Sequence, residues 1–299
     1  MTNSRGRAVI IEAALNGGTP KSRNPHVPRN VDEIVADALA CIEAGAAIVH
    51  NHNDDPVIGR PVHATEPYLA AYERIRAAAP DAILYPTMGG GAPGVRMAER
   101  YAHVEKLTRA GHLRMGLVDP GSLNFGGIEP SGVPASTETV YLNTYADTRY
   151  MIDWCAAHGL GPSISIFEPG FLRLALGYHR AGALPAGALV KLYFSGGDPG
   201  FGLPPTVPSL DAYCGMLYGT GLPWSVAVLG GDVLGTIAAE AVRRGGHLRV
   251  GLEDYAGPRQ PSNVELVREA VALVQALGGH AASIAEAAAI LGLPAQRAV

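Results

Sequence analysis

Two hydrophobic rhythms alternate along this chain. Short runs rich in Val, Ile, Leu and Ala, such as AVIIEAAL at 8–15 and AIVHNH at 47–52, give way to longer stretches with an apolar residue every three or four positions. A strand buried on both faces reads as a continuous apolar run, whereas a helix covering it needs only one apolar stripe, so the alternation predicts parallel strands joined by crossover helices. Strands are expected at 8–15, 47–52, 83–87, 114–118, 163–167, 189–194, 224–229 and 248–252. Helices are expected near 31–44, 66–78, 95–109, 138–158, 171–181, 210–218, 233–243 and 262–277, with a last short one at 284–291. The clearest is 31–44: Asn30 reads as its N-cap with Glu33 three residues on, Ile34, Val35, Ala38, Leu39 and Ile42 share a face, and Gly45 ends it. Eight strand–helix units predict a single (β/α)8 TIM barrel spanning 1–299, with a short extra C-terminal helix. An open doubly wound sheet gives the same alternation, but no GxGxxG follows the first strand, so the dinucleotide fingerprint of that fold is missing.

Composition narrows the partners. The formal net charge is −4 and the longest basic run is Arg243-Arg244, which disfavours nucleic acid and anionic membrane surfaces. No apolar stretch approaches the roughly 20 residues needed to span a bilayer, and the N-terminal segment reaches Gly17 too soon for a signal peptide. Cys41, Cys155 and Cys214 are far apart with no CxxC, so they read as small apolar residues. A soluble, cytoplasmic protein is expected.

In a (β/α)8 barrel the chemistry sits at the C-terminal ends of the strands. The polar residues there are Glu12 and Asn16, His50 and His52, Thr87, Asp119, Glu168, Ser195 and Asp198, Asp232, and Glu253 and Asp254. His50 and His52 are the sharpest pair. Residues two apart on a strand face the same way, so both imidazoles can bind one metal ion, and the polar run Asn53-Asp54-Asp55 follows. A pair of solvated loop histidines is the bland alternative. On the eighth strand Arg249, Gly251 and Glu253 fall on one face, where Glu253 would complete a His2Glu set with an open coordination position. An arginine inside a barrel needs an anionic partner, and Asp254 is available. A surface ion pair at the strand exit explains the same residues equally well. Gly89-Gly90-Gly91, after the Thr87 hydroxyl, can offer amides to a carboxylate, whereas Gly126-Gly127 and Gly196-Gly197 read as tight turns. Glu12, alone in an apolar run, lines the site or pairs with Arg249 or Lys21. His63, His103, His112, His158, His179 and His280 read as structural or solvated.

With these residues assembled, the chain resembles the β-keto acid cleavage enzymes, such as the 3-keto-5-aminohexanoate type, over nearly its whole length. The likeness is carried by AALNG, PHVPRNVDEIVADALACIEAGAAIVHNH, TMGGGAPG, PGSLNFGG and HLRVGLED. The resemblance implies a zinc-dependent barrel that converts a β-keto acid and acetyl-CoA to acetoacetate and a new acyl-CoA, by enolate formation and retro-Claisen cleavage. By motif it implies His50, His52 and Glu253 as zinc ligands, Asp254 as general base, Arg249 as the group that orients it, and Thr87, Gly89, Gly90 and Asn124 on the substrate. It also suggests a homo-oligomer, tetramer or dimer. Two departures concern the substrate tail: Thr19 and Lys21 stand where the 3-keto-5-aminohexanoate type has a glutamate for the amine, and Asp119 replaces a neutral residue. Glu12 argues for a cationic or hydroxylated tail, Lys21 and Arg23 for an anionic one. The competing readings are a metal-dependent aldolase or hydrolase on the same barrel working without acetyl-CoA, and a binding protein whose zinc is structural. Zinc amidohydrolases carry their HxH on the first strand, not the second, and structural zinc usually has four protein ligands.

Overall fold

The computed structural model describes residues 6–53, 63–91, 94–197 and 200–295. Eight parallel strands form its centre: β1 (Ile11–Ala14), β2 (Ile48–Asn51), β3 (Ile83–Pro86), β4 (Met115–Val118), β5 (Gly161–Ile166), β6 (Leu189–Ser195), β7 (Trp224–Leu229) and β8 (His247–Val250). Their hydrogen-bonded order is β3-β2-β1-β8-β7-β6-β5-β4. The two end strands, β3 and β4, pack side by side, so the sheet is nearly closed into a barrel with helices outside. The predicted (β/α)8 architecture is therefore the observed one.

The register sets up the site. Arg249 pairs with Glu12 across β8 and β1, Ala14 with His50 across β1 and β2, and His50 with Tyr85 across β2 and β3. On the far side Lys191 of β6 pairs with Ser165 of β5. Most strand positions bury aliphatic side chains, but Glu12, Tyr85, Lys191 and Arg249 reach one another through the barrel interior. The layer nearest the site is thus polar where an ordinary barrel is branched and apolar.

The helix Val31–Ala44 has the expected ends: the Asn30 side chain accepts from the Glu33 amide, and Gly45 adopts φ 117°. Other expectations shift. The run 8–15 is broken, with Ala8–Val9 pairing instead with His280–Ala281 beside the last helix, Ile284–Leu291. The helix expected from 138 begins at Tyr145, because Thr144 caps it through a reciprocal bond with Asp147. The preceding Val140–Tyr141, β-branched and aromatic, forms an antiparallel pair with Leu123–Asn124 instead. The helix expected from 233 begins at Ala238, since Asp232 accepts from the Leu234 and Gly235 amides and holds a turn there. Cys41 and Cys155 are buried and unbridged, as their apolar surroundings predict. Among the described residues no helix is long and apolar enough to cross a membrane.

Candidate active site

The two histidines meet one carboxylate. His50 Nε2 lies 3.3 Å from Glu253 Oε2, and His52 Nε2 lies 3.2 Å from Glu253 Oε1. The two Nε2 atoms are 3.1 Å apart. His50 donates from Nδ1 to the Tyr85 carbonyl at 3.2 Å and stacks on the Tyr85 ring, so its Nε2 is left with a lone pair aimed at its neighbours. Two imidazole nitrogens and a carboxylate converge there, with donor atoms all within 4.8 Å of one another. Glu253 Oε2 has no hydrogen-bond partner. Such a cluster fits a divalent cation: borderline nitrogen ligands, one oxygen ligand and, among the described residues, no fourth protein donor. Burial pushes His50 down to about 4, against the pull of Glu253, so the imidazole is held in its neutral, metal-binding form.

Local chemistry places these ligands. His52 leaves the end of β2 and is clamped by Asn16, whose Oδ1 accepts the His52 amide at 2.8 Å and whose Nδ2 donates to the His52 carbonyl at 3.0 Å. Glu253 arrives differently from its expected route. Strand β8 stops at Val250, and Gly251 turns the chain with φ 141° because any Cβ there would sit 2.0 Å from the Ala14 carbonyl oxygen. A Cβ on Gly17 would likewise strike Glu253 Cγ at 2.4 Å, so glycine at 17 makes room for the ligand. Asn263 holds this turn by accepting the Leu252 amide and donating to the Leu15 carbonyl and Asp37.

Because 253 and 254 lie in a turn and not on a strand, both carboxylates swing back to Arg249. The guanidinium donates to Asp254 at 2.8 and 3.3 Å, to Glu12 at 2.6 Å and to the Tyr85 hydroxyl at 3.2 Å, and it lies 2.9 Å from Glu253 Oε1. The fully buried Lys191 donates to the same hydroxyl at 2.8 Å, and Tyr85 bonds to Glu12. Burial alone would raise every acid here. At Glu253 the charges of Arg249, His52 and His50 outweigh it and hold the carboxyl well below the ordinary range. At Glu12 Lys191 and Arg249 do the same. At Asp254 burial wins over Arg249, and its pKa is raised. Carboxyls adjacent in sequence and sharing one guanidinium are thereby driven in opposite directions.

The remaining expected residues divide. A cleft over the barrel mouth is lined by His50, His52, Glu253, Thr87, Gly90 and Lys191 on its polar side. Gly89 lies just behind, its carbonyl accepting from Arg100, while His103 donates to the Thr87 carbonyl at 2.7 Å and steadies that loop. Glu12 is fully buried beneath the cleft and pairs with Arg249 and Lys191, not with Lys21, which is occupied by Glu33 at the surface. Thr19 is tied to the Leu252 carbonyl. Asp254 faces a small gap beside Val228 and Gly231, behind Arg249. Asn124 is exposed on the outer side of its short strand, since the alternation that turns Leu123 inward turns Asn124 out, and it does not line the cleft. Glu168 caps a loop through the Gly202 amide, and Ser195 bonds to the Gly197 carbonyl; neither is in the cleft, and Asp54, Asp55 and Asp198 lie outside the described residues. Asp119 does line it, with Tyr141, Phe125 and Phe167. Lys191, Tyr85 and Tyr141 escaped the sequence reading. The lysine inside the apolar run LVKLYF was the available signal.

Comparison with known proteins identifies the family. The family model described as "beta-keto acid cleavage enzyme" matches residues 8–293. The chain is 32% identical over 293 residues to 3-keto-5-aminohexanoate cleavage enzyme of Fusobacterium nucleatum, covering 95% of this chain and 98% of that one. It is 30% identical to 3-dehydrocarnitine:acetyl-CoA trimethylamine transferase of Rhizobium meliloti, covering 93% and 94%. It is also 30% identical to 3-oxoadipate:acetyl-CoA acetyltransferase of Cupriavidus necator, covering 95% of each. Among solved structures, apo ObcA shares the fold with a TM-score of 0.66 at 17% identity, over 91% of this chain and 66% of that one. The chain thus belongs to the β-keto acid cleavage enzyme family and is an enzyme of the β-keto acid:acetyl-CoA acyl-transfer type.

Proposed function

We propose that this enzyme is zinc-dependent, with His50, His52 and Glu253 as the ligands, and that it converts a β-keto acid and acetyl-CoA to acetoacetate and a new acyl-CoA. The observation that carries the reading is the convergence of two imidazoles and one carboxylate, the latter kept ionised by Arg249. A divalent cation bound there would polarise the β-keto oxygen and favour loss of the adjacent proton.

The chain's own residues supply the rest. Thr87, with the amides of the Gly89–Gly91 segment, receives the substrate carboxylate. Lys191 adds positive charge from the floor, since only one of its three donors is used, by Tyr85. Asp254, which lies behind Arg249 and reaches the cleft only when that pairing loosens, takes the proton from the carbon between the keto and carboxylate groups. Its raised pKa suits a base better than the depressed one of Glu253, and such help typically contributes about 10²–10⁴-fold. One of its two bonds to Arg249, the longer at 3.3 Å, opens for this step. The carbanion attacks the acetyl-CoA carbonyl and CoA departs. The CoA thiolate then adds to the original keto carbon, the carbon–carbon bond breaks to give the new thioester, and the departing acetoacetate enolate takes back the proton held by Asp254.

The test is twofold. Purified protein should carry about one zinc per chain, and both His50→Ala and Glu253→Ala should lose it; full occupancy in both variants sinks the ligand set. Product should form only with acetyl-CoA present. Equal turnover without it would instead support an aldolase or hydrolase on the same barrel.

A further inference from the structure

Strands β4 and β5 lie opposite β8 and β1 around the ring, and the wall they contribute is unlike the metal side. It is built from Phe125, Tyr141 and Phe167, continued by Tyr193 of β6, and one carboxylate stands among them. Phe167 contacts Tyr193 at 4.5 Å and Tyr141 at 6.4 Å between ring centroids, and Phe125 lies 6.2 Å from Tyr141. Asp119, only 4% exposed, lines the cleft at this point. Its Oδ2 accepts from the Tyr141 hydroxyl at 2.5 Å. Its Oδ1 is buried and has no hydrogen-bond partner, although the Ser165 hydroxyl is near enough to help stabilise its charge. Among the described residues no Lys, Arg or His nitrogen lies within 4.0 Å of it; Lys191, across the same cleft, and Arg100 act on it only through space.

A buried carboxylate is costly unless it is paired. Every other acid lining or underlying this cleft has a cation beside it: Glu12 and Asp254 have Arg249, and so does Glu253. Asp119 alone is left with an open oxygen, inside a ring of aromatic faces that attract cations. A cationic group on a molecule filling the cleft would give that open oxygen a close partner.

We propose that Asp119 and its aromatic surround bind a cationic amine on the tail of the β-keto acid. This rests on the β-keto acid reading of the site and assigns the tail that reading left open. The recognising acid then sits on β4, not in the first loop, where Thr19 and Lys21 are bound to Leu252 and Glu33. It explains why the first loop carries no acid that faces the cleft.

The test uses β-keto acids of equal length whose tails end in ammonium, hydroxyl, methyl or carboxylate, each assayed with acetyl-CoA. The ammonium tail should exceed the methyl tail by about tenfold or more in kcat/KM, the effect of one charge-assisted contact. In Asp119→Asn that ratio should shrink about tenfold, and in Asp119→Glu it should be partly kept. A methyl or carboxylate tail preferred by the wild type, or a ratio unchanged in Asp119→Asn, overturns the proposal. If no tail is turned over, the β-keto acid reading itself fails. Calorimetric binding of 4-aminobutanoate-length ammonium and methyl carboxylates to the zinc-loaded protein then decides the tail preference separately: tighter binding of the ammonium form supports the Asp119 assignment, and equal binding removes it.

Discussion

The two walls of the cleft treat charge in opposite ways. Toward β8 and β1, Arg249 joins Glu12, Glu253, Asp254 and Tyr85 into one network, with Lys191 closing it from β6. Toward β4, Asp119 has one hydroxyl and an open oxygen among aromatic rings. The charges of the first wall are paired within the protein, whereas the second keeps an open carboxylate oxygen. On the proposed reading, reaction and selection are separated in space, so that one barrel can keep its chemistry while its substrate changes.

If the first wall is saturated, breaking it should be expensive. Arg249→Met strips the shared partner from three buried carboxylates and should cost about 3–5 kcal/mol in chemical unfolding, with loss of turnover. A stability close to wild type would mean that the network is not shared in this way.

A half-buried acid outside both walls shows what partial burial does with little charge to oppose it. Asp37, on the helix Val31–Ala44, is raised by burial from 3.8 to about 6, opposed only by the Asn263 bond and the charge of His26. The fold therefore binds its proton more tightly than the unfolded chain does. Stability it contributes is full below about pH 4 and is lost as pH rises through 6, by about 3 kcal/mol at most. Asp37→Asn should raise the melting temperature at pH 7.5 and flatten its pH dependence between 4 and 6. An unchanged pH profile would show that burial is not what shifts this group.

Tyr85→Phe removes a hydroxyl that bonds to Glu12 and accepts from Lys191 and Arg249. It should cost about 1–3 kcal/mol, read from the urea midpoint. The smallest expected effect is on the open wall. Tyr141→Phe takes away the hydroxyl bonded to Asp119 Oδ2 and should change stability by about 1 kcal/mol or less. Its kinetic effect should fall on KM for the tail-bearing substrate more than on kcat. A large loss of stability there would mean that the wall is structural after all.

Much of this was legible along the chain. Hydrophobic periodicity located all eight barrel strands and most helices, because burial on both faces or on one stripe leaves a mark within a few residues. The histidine pair was legible for the same reason: its spacing is local, and a strand end converts that spacing into a shared face. The resemblance through HLRVGLED picked out Arg249, Glu253 and Asp254 as a set. What spacing alone misread was how they meet. On a strand 253 and 254 would point to opposite faces, and only the turn at Gly251, forced by the approach of the Ala14 carbonyl, brings both to one guanidinium.

What the sequence by itself determined, then, is a (β/α)8 barrel of the β-keto acid cleavage family, with its sharpest candidate residues at the ends of the second and eighth strands. The tertiary structure decided which polar residues face the cleft and which are sealed beneath it. Glu12 reads as a site residue and is the buried counterion of Arg249 and Lys191; Lys191 reads as one charge in an apolar strand and lines the floor. Asp119 becomes distinctive only once its neighbours are known, because an unpaired oxygen is a property of everything around it. Pairing across a barrel joins residues more than a hundred positions apart, as between Tyr85 and Lys191, and no local pattern records that.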